Sequence, residues 1–146
     1  MKTLINNIKT FLESAITAGR VSATVVVKGL WEEPEQVPMN VYPFISIDDG
    51  GERVEDNSSN KSQTRYYTVV LVLGAYNTDR ANSIDAIIDL TDEVKKEFET
   101  LANRQKDGHI WGVSIIPWYW EDQRGYFRGR VITIDYFELE DRIFEY

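Results

Sequence analysis

An α+β fold, in which a mostly antiparallel sheet carries two amphipathic helices on one face, is what this 146-residue sequence predicts. Three observations point to it. Residues 65–76 read as a strand that is apolar on both faces, Tyr67, Val69, Leu71 and Leu73 on one and Tyr66, Val70 and Val72 on the other, the pattern of a central strand covered on both sides. Residues 79–103 follow with Ile84, Ile87, Ile88, Val94, Phe98 and Leu101 on one helical stripe, capped by Asn77, Thr78 or Asp79. The strands after Tyr42 are joined by hairpins or by that single helix, which favours antiparallel pairing.

The elements follow in order. A first helix over residues 2–18 gathers Leu4, Ile5, Ile8, Phe11, Leu12 and Ile16 on one face. Asn6, Asn7, Lys9 and Glu13 interrupt any apolar run there, so the segment reads neither as a signal peptide nor as a membrane span, and a soluble chain made in the cytoplasm is expected. A strand at 23–28, a bend through Trp31-Glu32-Glu33-Pro34-Glu35-Gln36 and a strand at 41–47 come next. Residues 49–64, with Gly50, Gly51, Asn57, Ser58, Ser59 and Asn60, read as a long polar loop, a length usually associated with function or disorder. Beyond the second helix lie a turn at Lys106-Asp107-Gly108, a strand at 110–120, a hairpin turn at Glu121-Asp122-Gln123-Arg124 with Gly125, and a last strand at 126–139. The order is α-β-β-β-α-β-β in one domain over residues 1–146, with no internal repeat and no linker.

Composition narrows the function classes. With 42% hydrophobic and 12% aromatic residues the chain can bury one real core. It has no cysteine, which excludes disulfides and thiolate chemistry and fits a reducing compartment. A net charge of −8 argues against a surface built to grip phosphate, while an acidic surface facing DNA would let it pass without sticking.

Catalytic parts are scarce. The single histidine, His109, has no second His or Cys to complete a metal site or a nucleophile pair, and reads as structural or surface. Asp85, Asp89 and Asp92 share a helix flank and could meet a hard cation, but Lys95 and Lys96 lie in reach and a solvated flank is the stronger reading. Gly50-Gly51 and Gly125 lack both phosphate-loop spacings. The expectation is a non-enzymatic chain without metal or cofactor. The aromatic group Trp111, Trp118, Tyr119, Trp120, Tyr126, Phe127, Tyr136 and Phe137, with Arg124, Arg128 and Arg130 beside it, is compatible with cross-strand core, a protein interface or a stacking platform for a ligand. Trp118, Trp120, Arg124 and Arg128 are the candidate aromatic and basic interface. A ligand-binding module or an unrecognised enzyme would use the same strand pair with Asp135, Glu138 or His109.

The amphipathic first helix, Tyr42-Pro43-Phe44-Ile45-Ser46-Ile47 followed by Asp48-Asp49, the polar stretch, the strand through Tyr66 and Leu73, the helix with Ile84, Ile87 and Leu90, and the closing strand through Val131 and Phe137 together resemble the tail terminator (tail completion, or minor tail) proteins of long-tailed bacteriophages. The resemblance spans most of the chain. It implies a ring, usually a hexamer, at the head-proximal end of the tail tube. Such a ring stops tube polymerisation and offers a docking surface to the head connector, while DNA passes through the bore. The implied partners are further copies of the chain, the tail tube protein and the head–tail connector or neck protein, with only transient passage of DNA and no membrane. The implied location is the virion tail, after assembly in the host cytoplasm. Residues 49–64 would then touch the tube or a neighbouring subunit, with Glu52, Arg53, Glu55, Asp56, Lys61 and Arg65 as candidates because opposite charges on adjacent subunits can fix register. A neck or head–tail connector subunit is the alternative within the same class.

Overall fold

The computed structural model describes residues 2–29, 37–56, 62–99 and 111–141. The bend at residues 31–36, the turn at 106–108, His109 and Lys61 lie outside them. Helix α1 (Lys2–Thr17) buries Ile8, Leu12 and Ala15 along its apolar stripe. Strand β1 (Val25–Lys28) follows, parallel to β2 (Phe44–Asp56) with Val26 opposite Ile45. The expected strand at 41–47 starts only at Phe44, because Met39–Val41 coil into a 3-10 turn closed by Val41 N–H donating to Pro38 O at 3.0 Å.

β3 (Ser62–Asn77) returns antiparallel to β2, and α2 (Arg80–Glu99) leaves its end. Asp79 caps that helix: its Oδ2 accepts the Asn82 N–H at 2.9 Å, satisfying one of the donors that a first helical turn leaves open. β4 (Trp111–Asp122) and β5 (Gly125–Asp141) form a hairpin that pairs Asp122 with Gly125 across the two residues Gln123 and Arg124. The five strands lie in the order β1-β2-β3-β5-β4, antiparallel except at β1–β2. The α+β class and the element order are those that the sequence predicts.

Strand alternation divides the sheet into two faces. Both helices cover one of them: Ile45, Ile47, Val69, Leu71, Leu73, Ile132, Ile134 and Tyr136 form the main core with Ile8 and Leu12 of α1 and Ile87, Leu90, Val94 and Phe98 of α2. α1 packs on β1 and β2, and α2 on β3 and β5. Glu97, buried on α2, accepts from Arg20 Nε at 3.0 Å and so ties α2 to the end of α1. On the other face, Val37, Tyr42, Phe44, Val72 and Phe127 make a smaller core. Among the described residues the central strand is thus covered on both sides at that end, where the 37–43 segment lies. Among the described residues Tyr66, Thr68 and Val70 remain half-buried.

The polar stretch expected as a loop at 49–64 is strand at both of its ends, and residues 57–61 lie outside the described residues. Residues up to Asp56 belong to β2 and residues from Ser62 to β3, paired through Glu52 opposite Tyr67, Val54 opposite Arg65 and Asp56 opposite Gln63. Polar composition suggested a loop, but a strand that extends past its helices needs no apolar face. The register shift between Asp49 and Glu52 absorbs Gly50-Gly51 as a bulge.

Gly74 of β3 lies directly beneath the Phe44 ring, and a Cβ there would overlap ring carbons. Gly74→Ala should therefore destabilise the domain by about 1–3 kcal/mol through overpacking. Urea unfolding followed by tryptophan fluorescence measures this as a lower midpoint at unchanged slope.

Candidate functional site

Two surfaces collect the candidate residues, at opposite edges of the sheet. The first is an arm. β1 pairs with β2 as far as Lys28 opposite Ile47, and the first described residue of β4, Trp111, lies opposite Asp135. Among the described residues β2, β3 and β5 continue past those points, from Ser62 opposite Asp141 inward. Residues 50–55 of β2 are exposed there. Of the candidates, Glu52, Arg53, Glu55 and Arg65 lie on this arm, Asp56 ends β2, and Lys61 is outside the described residues. Arg53 and Glu55 share a face, with Nε 3.2 Å from Oε1, and the Arg53 guanidinium stacks 4.2 Å from the Tyr66 ring centroid. Glu52 and Val54 point the other way, and Val54 is 48% exposed. Alternation of Glu52 and Val54 against Arg53 and Glu55 was the legible sign of a strand, masked by the glycine pair before it.

The outer edge of the arm is blunted as exposed edges usually are. Asp49 Oδ1 accepts the Gly51 N–H and Asp48 Oδ1 the Asp49 N–H, both at 2.8 Å, so carboxylates of the strand itself occupy these donors. At the other edge β4 carries Pro117, which has no N–H to donate.

The aromatic group does not form one platform. Trp118, Trp120 and Phe127 stand on the face away from the helices, with Tyr42, Phe44 and Tyr76, whereas Tyr136 is in the helix-side core. Tyr42 meets Phe44 edge-on at 5.0 Å and Phe127 at 5.2 Å, ordinary aromatic packing distances. Trp118 lies flat over Gly129, where a side chain would collide with the indole. Its Nε1 is buried without a hydrogen-bond partner among the described residues. Arg124 belongs to this side: it stacks 4.8 Å from the Phe127 centroid and binds Asp122 through Nε at 2.9 Å and Nη2 at 2.5 Å. Arg128 sits on the opposite face, so the four residues proposed as one aromatic and basic interface are split by strand alternation.

That opposite face forms the second surface, a step. Among the described residues α2 packs chiefly on β3 and β5. The floor is Pro117 and Tyr119 of β4 with Arg128 and Arg130 of β5. Arg128 Nε donates to Ser83 Oγ of α2 at 3.1 Å while its guanidinium lies 4.5 Å from the Tyr119 centroid. The wall is Ile84 and Ile88, 39% and 41% exposed, on the flank of α2 opposite Glu93 and Glu97. The sequence had placed both in the core stripe. Burial instead centres on Ile87, Leu90 and Val94, so the apolar stripe of α2 is wider than the face it buries.

Ligand chemistry has thin support. A cleft of about 230 Å³ lies between α2 and the end of β3, lined by Ala86, Asp89, Leu90 and Glu93 of α2, Ala75 and Tyr76 of β3, and Ser22 and Pro43. Glu93 is committed there, accepting the Ser22 N–H at 2.8 Å and its hydroxyl at 3.1 Å. Asp135 accepts from Thr68 Oγ1 at 2.5 Å across the sheet, and the side chain of Glu138 is not among those described. Asp85, Asp89 and Asp92 are exposed, and among the described residues no group of three or more His, Cys, Asp or Glu is arranged to hold a metal ion. Among them also no helix is long and apolar enough to cross a membrane.

Comparison with models of known protein families finds no match to this chain, and comparison with curated proteins finds none either.

The turn between β4 and β5 has a titration signature. The Arg124 guanidinium hydrogen-bonded to Asp122 holds its carboxyl down at about 2, against an ordinary 3.8, with burial opposing the shift. Because the folded value is depressed, this contact stabilises the fold above the unfolded value and is lost as pH falls through the folded one. Carbon NMR titration should place the Asp122 midpoint near 2 in the wild type. In Arg124→Gln the midpoint should return toward 3.8.

Proposed function

We propose that this chain is a tail terminator subunit of a long-tailed bacteriophage, a ring former that caps the head-proximal end of the tail tube. The reading rests on the likeness of its element order to that family and on one structural observation above the rest, the three-stranded arm. Among the described residues an arm of β2, β3 and β5 runs beyond both helices and exposes charged residues on β2, which exceeds what the buried core requires. Such an extension suits contact with a neighbouring subunit or with the tube. In this reading Glu52, Arg53, Glu55 and Arg65 act from strand positions, so their spacing is rigid. The ring, sixfold by resemblance to that family, halts tube growth and presents a surface to the connector, with DNA crossing its bore. A neck or head–tail connector subunit is the second reading, since the same arm would serve it.

Electron microscopy of the purified chain, alone and mixed with tail tubes, tests the proposal. Closed rings seated on one end of the tubes are expected. Rings that bind only the head-side portal select the connector reading, and a chain that neither closes nor binds either structure overturns both. Arg53→Glu removes the pairing with Glu55 and the stacking on Tyr66. It should weaken attachment of the ring to the tube by about 1 kcal/mol, roughly fivefold in affinity, as measured by surface plasmon resonance on immobilised tubes.

A further inference from the structure

The step beside α2 is unusual in a chain of net charge −8, because it gathers arginines that have no carboxylate partner. Among the described residues Arg80, Arg128 and Arg130 form no ion pair. Arg128 is held instead by the Ser83 hydroxyl and the Tyr119 ring, and Arg130 Nη1 donates to the Gly129 carbonyl at 3.2 Å. Arg80 opens α2 one turn before Ile84, and its carbonyl accepts from the same Ser83 hydroxyl that holds Arg128. Glu121, next to Tyr119 on β4, accepts from the Tyr119 hydroxyl. Exposed apolar surface coincides with these cations: Ile84 and Ile88 form the wall and Tyr119, 45% exposed, the floor. Arginine, tyrosine and aliphatic side chains combined in this way are the composition of the centre of a protein interface.

We infer that this step receives the acidic β2 edge of a second copy of the same chain. The complementary surface is the β2 edge of the arm, which carries Asp49, Glu52 and the exposed Val54 toward one face and Asp48 and Glu55 with Arg53 toward the other. The two surfaces occupy opposite edges of the sheet, β4 and β2, and differ in chemistry. A contact between them is head-to-tail and repeats from copy to copy until the rotation closes it, as a ring requires. It runs through side chains, since Pro117 and the carboxylates of Asp48 and Asp49 blunt backbone pairing at both edges. The inference rests on the ring reading above and assigns the two faces of its subunit contact.

The test uses the full chain in analytical ultracentrifugation, with circular dichroism melting to verify folding. One variant carries Arg80→Glu with Arg128→Glu, and a second carries Glu52→Arg with Glu55→Arg. Each alone should need at least roughly tenfold more protein to assemble than the wild type does. Mixed in equal amounts they should assemble again, because every junction then joins surfaces of opposite charge. Ile88→Asp leaves the arginines in place and should weaken assembly too, which covers the case that Arg128→Glu fails to fold. Wild-type rings that all these variants reproduce at wild-type concentration overturn the inference and leave the ring reading standing. A wild-type chain that stays monomeric at its highest soluble concentration overturns both. A lower melting temperature in Ile88→Asp without any change in assembly shows that the chain covers the step itself, and this too overturns the inference.

Discussion

The pairing of β3 with β5 is the constraint on which the rest of the molecule depends. These two strands lie side by side from Ser62 opposite Asp141 to Asn77 opposite Tyr126, without a register shift. That unbroken register decides which side of the sheet each later residue occupies. Val69, Leu71 and Leu73 line up with Ile134, Ile132 and Arg130 under the helices, while Val72 and Val131 face the other way. A slip by one residue would turn the aliphatic row to the wrong face and uncover both helices. The same register sets Arg128 beneath α2 and Phe127 against Tyr42.

The ladder is longer than the core that stabilises it, and the excess has two outcomes. Among the described residues, strands without helices form the charged arm at one end, and at the other the helix layer is narrower than the sheet, so β4 and the outer side of β5 carry the arginine step. Both candidate surfaces are consequences of one mismatch between a long sheet and two shorter helices. Neither has a local motif of its own.

That origin explains what could be read from the sequence. The α+β class, the order of elements and the central position of residues 65–76 follow from apolar periodicity, which is strong wherever a face is buried. The arm was read as a loop because its residues bury nothing, so the only remaining signal was a short alternation of Glu52 and Val54 with Arg53 and Glu55. The exposure of Ile84 and Ile88 was illegible for a different reason: a helical stripe gives the direction of the apolar face but not the width of the partner beneath it. The aromatic residues near the C-terminal hairpin were visible as a group, yet their division between two faces depends on strand parity at Trp118, Tyr119 and Phe127, which a cluster count ignores. Candidate contacts at Lys61 and His109 fall outside the described residues.

Blunted edges bear on how the free chain behaves when it is concentrated. Backbone groups at the rim of a sheet recognise any extended chain, so an unguarded rim binds indiscriminately and grows without limit. Here the rim carries Pro117 at one edge and the carboxylates of Asp48 and Asp49 at the other. Guards of this kind let a folded chain reach high concentration without nucleating fibres.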